Sequence, residues 1–132
     1  MNPLDAVPAV RRLQTSRPDL VAFEIAGSLS GPDVENLYGL LEGAYVLHSE
    51  IDLIVRASDN ETVQWSKVAG DTVEEGREHA RSHIRRCASV GGKGGVDSLV
   101  QEICGGSAAE YRHFGREEEA DAWVWLGGRE IR

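Results

Sequence analysis

Several residue types and patterns are scarce in the sequence, and each scarcity excludes a class of structure or function. It contains 2 cysteines, 1 methionine and, among its basic residues, 2 lysines beside 12 arginines. It has no run of 18 or more apolar residues, so we expect no membrane insertion. The first residues, Met1 to Ala6, lack a charged region followed by an apolar core, from which we expect a cytoplasmic location.

Positive charge is also scarce. The formal net charge is -8 and the pI is about 4.9. Such a chain repels phosphate backbones, so we expect no nucleic-acid partner. The arginine pairs Arg11–Arg12 and Arg85–Arg86 stand in two separate places, and we interpret them as solvated strand ends.

Size and composition indicate one globular domain. The 132 residues fit a single hydrophobic core, and 41% hydrophobic and 27% charged residues lie far from the composition of a disordered chain. We therefore predict one domain over residues 1–132, with its core between about residues 10 and 126.

The first half of the chain reads as a hairpin, a helix and a strand. Ala9–Leu13 and Leu20–Ile25 are strand candidates separated by a polar turn that contains Pro18 and Asp19. Ser30–Asp33 has the pattern of a capped helix start with proline in the first turn. The apolar residues that follow at helical spacing are Val34, Leu37, Tyr38, Leu41 and Tyr45. Ile51–Val55 is typical of a buried strand.

The second half continues the alternation of helices and strands. A helical stripe comprises Trp65, Val68, Ala69, Val73, Gly76, Ala80 and Ile84. A strand over Cys87–Val90 is followed by a helix with Val96, Leu99, Val100 and Ile103 on its inner face. Tyr111–Phe114 is the last strand, and Glu117, Glu118 and Glu119 open a final helix buried through Ala120, Trp123 and Val124. This order predicts an α/β fold with a mixed, mostly parallel sheet of about five strands.

The order of elements resembles the SpoIIAA-like branch of the STAS superfamily. The likeness rests on Phe23–Gly27 before the capped helix, on Ala109–Phe114, and on Glu119–Trp123, and it spans roughly residues 10–126. The resemblance implies a SpoIIAA-like fold with helices packed chiefly on one face of the sheet. It also implies distant kinship with anti-sigma-factor antagonists and with the lipid-binding CRAL-TRIO fold.

One segment matches the place of a regulatory switch in the antagonists. There, a serine at the start of the second helix is phosphorylated and decides whether a partner kinase is bound. The matching candidates here are Ser58, Asp59, Trp65 and Ser66, although no glycine follows the serine as it does in the antagonists. A phosphate at a helix start would rebuild a binding face. The alternative is that both serines are turn or capping hydroxyls.

A glycine-rich turn follows the predicted fourth strand. Gly92, Lys93 and Gly94 lie between a strand and a helix, where backbone amides can hold an anion. No Ser or Thr follows Lys93, so the turn is not a P-loop. It is either an anion-binding loop or a flexible connection.

Neither a catalytic nor a metal site emerges from the spacing. His79 and His83 stand one helical turn apart, but Arg77 and Arg81 beside them would oppose a cation, so we interpret that face as solvated. No Gly-x-Ser-x-Gly elbow is present. We predict no metal, no cofactor and no catalytic residues.

The spacing of the two cysteines indicates neither a metal site nor a redox motif. Cys87 and Cys104 lack the CxxC pattern, and both fall in apolar segments. We therefore expect buried, free thiols.

The tryptophans of the last predicted helix indicate an interface. Trp123 and Trp125 are about 200° apart on one helix, so both cannot face inward. Trp125 is accordingly our candidate for a contact with a partner or a second copy of the chain.

We favour a non-enzymatic interaction or regulatory module that binds a protein partner and forms a homodimer. The alternatives are a carrier of a small apolar molecule or lipid, and an enzyme of unrecognised type.

Overall fold

The protein folds into one five-stranded sheet covered by helices. The computed structural model describes residues 9–57, 70–91, 95–104 and 110–131, apart from the side chains of 95–97. The strands are β1 Val10–Leu13, β2 Leu20–Ile25, β3 Ile51–Ala57, β4 Ile84–Gly91 and β5 Glu110–Phe114. The helices are α1 Gly31–Leu47, α2 Gly70–His83, α3 Gly95–Cys104 and α4 Glu119–Leu126, which follows a short 3-10 turn at Arg116–Glu118.

The sheet has the predicted mixed topology. Its strands lie in the order β1-β2-β3-β4-β5. β1 is antiparallel to β2, as expected of a hairpin, and β2 to β5 run parallel to one another. Parallel neighbours need crossover connections, and helices α1, α2 and α3 supply them. The predicted α/β class, with a mixed, mostly parallel sheet of five strands, is confirmed.

One face of the sheet packs against α1, α2 and α3, and we call it the helical face. Side chains alternate across a strand, so Val21, Phe23, Leu53 and Val55 all point to this side. They meet a stripe on α1 that is fully buried. The start of α1 is fixed as predicted, because the Ser30 hydroxyl accepts from the backbone amide of Asp33 in a capping box.

The opposite face, which we call the α4 face, carries a smaller apolar cluster under α4. Its sheet members are Leu13, Leu20, Ala22, Ile54, Ala88, Val90 and Phe114. The prediction that Ala120 and Val124 are buried was wrong: Ala120 is exposed, and so is 78% of Val124. The buried residues of α4 are Ala122, Trp123 and Leu126, because the stripe that faces the sheet runs through Trp123 and the residue three positions later.

The boundary between α2 and β4 differs from the sequence prediction. Ile84 opens β4 instead of closing the helical stripe, and it pairs with Ile51 of β3. A β-branched residue that fits a helical spacing fits an adjoining strand equally well, so the period alone could not place it. Trp65, Val68 and Ala69 lie outside the described residues. No helix among the described residues is long and apolar enough to cross a membrane.

The two cysteines are buried as predicted but are not free. Cys87 of β4 and Cys104 at the end of α3 form a disulfide, with their Cα atoms 6.6 Å apart. The expectation of free thiols was wrong because it considered only CxxC spacing. The fold lays α3 against the strand that precedes it, which brings together two residues 17 positions apart.

Candidate functional site

An open cleft lies at the carboxyl end of the parallel strands. Its volume is about 700 Å³. It is lined by Glu24, Ile25 and Ala26 at the end of β2, Arg56 and Ala57 at the end of β3, Val90 near the end of β4, and Arg116, Glu117 and Glu119 before and at the start of α4. Ligands of open α/β sheets bind at this end of the strands. We call it the carboxyl-end cleft.

Arg56 organises the charged wall of this cleft. Its guanidinium donates to Glu24 at 2.8 Å, to Glu119 at 2.8 Å and to Glu130 at 2.7 Å. Glu24 also accepts from Arg11 at 2.6 Å. Three carboxylates therefore share the guanidinium of Arg56, whose side chain is only 17% exposed. This arrangement fixes the start of α4 and the C-terminal segment against the sheet.

The protonation of Arg56 follows from its surroundings. Partial burial by itself lowers its pKa, but the hydrogen bonds to Glu130, Glu24 and Glu119 outweigh this effect, and the pKa is raised above its ordinary value. Glu119 additionally accepts from the indole nitrogen of Trp123 at 3.0 Å. Arg56 is thus a permanent cation in a rigid network and is unsuited to proton transfer.

Two side chains of the cleft point into solvent. Arg116 and Glu117 are exposed residues of the turn before α4. Below them, Gly91 adopts φ +69°, and a Cβ atom there would lie 2.2 Å from the carbonyl oxygen of Ala57 and 2.9 Å from Cγ of Arg116. Only glycine fits this close approach of β3, β4 and the turn.

The described part of the cleft presents charged side chains. Among the described residues, no nucleophile stands beside a base in the cleft, and no group of three or more potential metal ligands occurs. The charged residues instead pair with one another across β2, β3 and the C-terminal segment. Such a wall offers fixed hydrogen-bond donors and acceptors to a polar partner.

The sequence-predicted switch and anion-loop residues lie outside the described residues. These are Ser58, Asp59, Trp65 and Ser66, and Gly92, Lys93 and Gly94. The two segments follow directly after β3 and β4, which are neighbours in the sheet. Ala57 and Gly91, the last residues of β3 and β4, are partners in register. The two predicted segments therefore begin one residue beyond paired positions at the carboxyl-end cleft.

The predicted interface residue Trp125 is half-buried. Its ring lies against Phe114, with centroids 6.0 Å apart, and the Arg86 guanidinium stands 5.6 Å from the ring centroid. Arg86 also donates to the Trp125 carbonyl oxygen at 2.9 Å. Part of the indole stays accessible, so its role in a contact remains a prediction.

A second charged cluster occupies the opposite, amino end of the strands. Asp52 accepts from Arg17 at 2.7 Å and from Arg85 at 3.1 Å, and its side chain is only 6% exposed. Arg17 also donates to the Leu126 carbonyl oxygen at 2.6 Å. This amino-end cluster thereby ties β3 to the end of α4. Arg85 is 43% exposed, as expected of a solvated strand end, and its guanidinium additionally pairs with this buried carboxylate.

The histidines of α2 contact α1. His79 bonds to Glu42 at 2.6 Å, and His83 stacks on Tyr45 with centroids 4.7 Å apart. The hydrogen bond with Glu42 raises the pKa of His79. This face is therefore partly engaged in packing two helices together and is not simply solvated.

Sequence reasoning missed Arg56 and Asp52, the centres of the two clusters. Both interrupt the buried strand Ile51–Ala57, and a charged residue within an apolar strand that is buried on both sides needs a partner. That signal was available in the sequence. The identities of the partners were not, because Glu119 and Glu130 lie 63 and 74 residues beyond Arg56.

Comparison with known proteins agrees with this fold. No curated protein matches the chain. A solved structure of an uncharacterized protein from the DUF3478 family of Shewanella loihica PV-4, with a SpoIIAA-like fold, is similar over 92% of this chain and 97% of that chain. The identity is 22% and the TM-score is 0.62, so this likeness shows the fold. The SpoIIAA-like family model matches residues 20–127, and the chain therefore belongs to the SpoIIAA-like family.

Proposed function

We propose that the protein is a non-enzymatic interaction module that binds a protein partner at the carboxyl-end cleft and the segments that follow β3 and β4. The observation that carries the proposal is the pairing of Ala57 with Gly91 at the rim of this cleft. Two segments singled out from sequence, 58–66 and 92–94, thus leave the sheet from adjacent points. A partner seated there would meet the chain at the two strand ends from which these segments continue.

The charges of the cleft suit a polar protein surface. Arg56 and its three carboxylates form a fixed wall, while Arg116 and Glu117 project outward. Complementary charges steer encounter and select among partners more than they add affinity. A phosphate on Ser58 would add about two negative charges next in sequence to Ala57, which supports a regulatory role for that serine.

Self-association and location belong to the same proposal. Trp125, partly accessible on α4, and the neighbouring Val124, 78% exposed, favour a homodimer contact through α4. We also propose a cytoplasmic location. Light scattering of the purified chain tests the dimer, and Trp125→Ala should return it to the monomer.

The carrier alternative receives less support from the geometry. A carrier needs an apolar cavity between sheet and helices. On the helical face, the described side chains of that space are packed against one another. The carboxyl-end cleft is open and has a charged wall. Native mass spectrometry of the purified chain should accordingly show no retained lipid.

Affinity capture with charge-reversal variants tests the interaction proposal. The variant is Arg116→Glu combined with Glu117→Lys, which reverses both exposed charges of the cleft and keeps the net charge. The matched control is Glu50→Lys combined with Arg81→Glu, which does the same to two exposed residues at the amino end of the strands. A protein captured by the wild type is then purified, and its dissociation constant is measured for all three chains.

The expected result is a loss of affinity of at least about tenfold in the cleft variant and less than about twofold in the control. Equal affinities for all three chains, or a loss confined to the control, would overturn the proposal. Circular dichroism of both variants should match the wild type, because all four side chains are exposed.

A further inference from the structure

The disulfide between Cys87 and Cys104 joins the centre of the sheet to α3. Cys87 lies in register between Leu53 of β3 and Tyr111 of β5, and it is fully buried. Cys104 is the last residue of α3 and is 1% exposed. The crosslink therefore fastens one end of a peripheral helix to the middle of the core.

The residues that flank α3 increase the stabilisation that we expect from the crosslink. Glycine flanks the helix on both sides, at positions 91, 92, 94 and 95 before its interior and at 105 and 106 after it. Glycine loses more conformational freedom on folding than any other residue, so ordering α3 against the sheet carries a high entropic cost. A disulfide offsets part of that cost by restricting the unfolded chain.

Besides the crosslink, apolar packing and an ion pair hold the described part of α3. Leu99, Val100 and Ile103 are buried against the helical face, and Glu102 forms an ion pair with Arg77 of α2. The rest of that core, between α1 and strands β2 and β3, is built without α3. Loss of the crosslink should therefore loosen α3 more than it loosens the sheet.

We propose that the Cys87–Cys104 disulfide is a redox-reversible clamp, which a dithiol reductant opens to release α3 while β2, β3 and α1 stay folded. The site reacts with thiols and needs no metal or cofactor. In the clamped state α3 is fixed on the sheet. In the dithiol state α3 opens locally and recloses.

The reaction balances with a dithiol as the co-reactant. A thiolate of the reductant attacks one of the two sulfurs, the S–S bond breaks, and a mixed disulfide forms. The second thiol of the reductant then attacks the mixed disulfide and displaces the protein sulfur. The oxidised reductant leaves as a cyclic disulfide. The protein gains two electrons and two protons and ends with two thiols.

Burial controls the rate of this reaction. Neither cysteine has appreciable exposed surface, so the reductant meets a sulfur only when α3 opens. Reduction of the folded protein should be slow, and it should accelerate in urea concentrations below the unfolding transition. A disulfide on the surface would be reduced at a rate that such urea hardly changes.

Thiol counting and hydrogen exchange test the clamp. The full chain is purified without reductant. One sample is denatured, alkylated and weighed before and after treatment with dithiothreitol. A separate native sample is followed by hydrogen exchange in both states. We expect no alkylated thiol before reduction and two after it. Exchange in α3 should accelerate roughly 100-fold on reduction, with a smaller change in β2 and β3, and the melting temperature should fall by on the order of 10 °C.

The variant Cys87→Ala combined with Cys104→Ala is the control. Its α3 should exchange rapidly with or without dithiothreitol, and its melting temperature should not respond to the reductant. Two alkylated thiols in the chain before reduction would overturn the proposal. Equal loss of protection in β2, β3 and α3 would also overturn it, because the crosslink would then support the whole fold.

Discussion

The two ends of the parallel strands carry similar charges that serve different purposes. At the amino end, Asp52 is almost completely buried, and Arg17 links it to the last carbonyl groups of α4. At the carboxyl end, Arg56 gathers three carboxylates on the wall of an open cleft, beside the exposed Arg116 and Glu117. The comparison teaches that burial decides the role: the first cluster stabilises the fold, and the second shapes an accessible surface.

The largest expected effect comes from the buried carboxylate of the amino end. Asp52→Ala removes the buried carboxylate that Arg17 and Arg85 both contact and should reduce the free energy of unfolding by about 3 kcal/mol. Glu50→Ala is the matched control, because Glu50 is 58% exposed and 3.6 Å from Arg85, and it should cost less than about 0.5 kcal/mol. Urea unfolding measures both. Similar values for the two variants would mean that burial does not distinguish these ion pairs.

A pair of glycines sharpens the comparison at the level of the backbone. Gly91, at the carboxyl end, and Gly127, at the end of α4, have φ of +69° and +74°. Gly91→Ala adds a clash with the Ala57 carbonyl oxygen to the strain of the positive φ, and we expect a loss of about 2 to 3 kcal/mol. Gly127→Ala, whose nearest new contact is 3.6 Å away, should lose only about 1 kcal/mol. Equal losses in thermal unfolding would show that the close approach at Gly91 is unimportant.

Arg56 should be less important for stability than Asp52. Arg56→Gln removes the cation that three carboxylates share and should lower the free energy of unfolding by about 2 kcal/mol. Arg11→Gln removes a single bond of a half-exposed arginine to Glu24 and should cost about 0.5 kcal/mol. The order Asp52, Arg56, Arg11 in urea unfolding supports the comparison. A larger cost for Arg56 than for Asp52 breaks it.

The smallest effect concerns acid stability at the amino end. The hydrogen bond from Arg17 holds the pKa of Asp19 below its ordinary value of 3.8. A carboxyl with a depressed pKa stabilises the fold above pH 3.8, and this contribution is lost as the pH falls through the lower folded value. Because Asp19 is 35% exposed, the contribution should be below about 1 kcal/mol. NMR titration should show the Asp19 pKa rising in Arg17→Gln, and an unchanged pKa would contradict the assignment.

Local features of the fold could be predicted where one short segment determines them. Leu20–Ile25 was predicted with its observed bounds, because a continuous apolar run bounded by turn residues indicates a buried strand. The cap at Ser30 and Asp33 was predicted because both halves of a capping box lie within four residues. The order of the elements predicted the mixed, mostly parallel sheet, and the resemblance to the SpoIIAA-like family implied helices packed chiefly on one face.

Features that depend on distant contacts could not be predicted. The sequence marks Arg56 as a charge in a buried strand but does not show that Glu130, 74 residues later, is its partner. The disulfide depends likewise on α3 lying against β4, which the cysteine spacing does not reveal. The buried side of α4 was misjudged because an eight-residue helix offers few positions from which to determine a stripe.

Hydrogen exchange of the chain bound to a purified partner tests the central claim most directly. We predict new protection at residues 24–26, 56–57 and 116–119 around the carboxyl-end cleft, and unchanged exchange at residues 81–86 at the amino end. Protection at 81–86 with none at 24–26 and 56–57 would contradict the account, because it would place the partner on the end that we assign to stability.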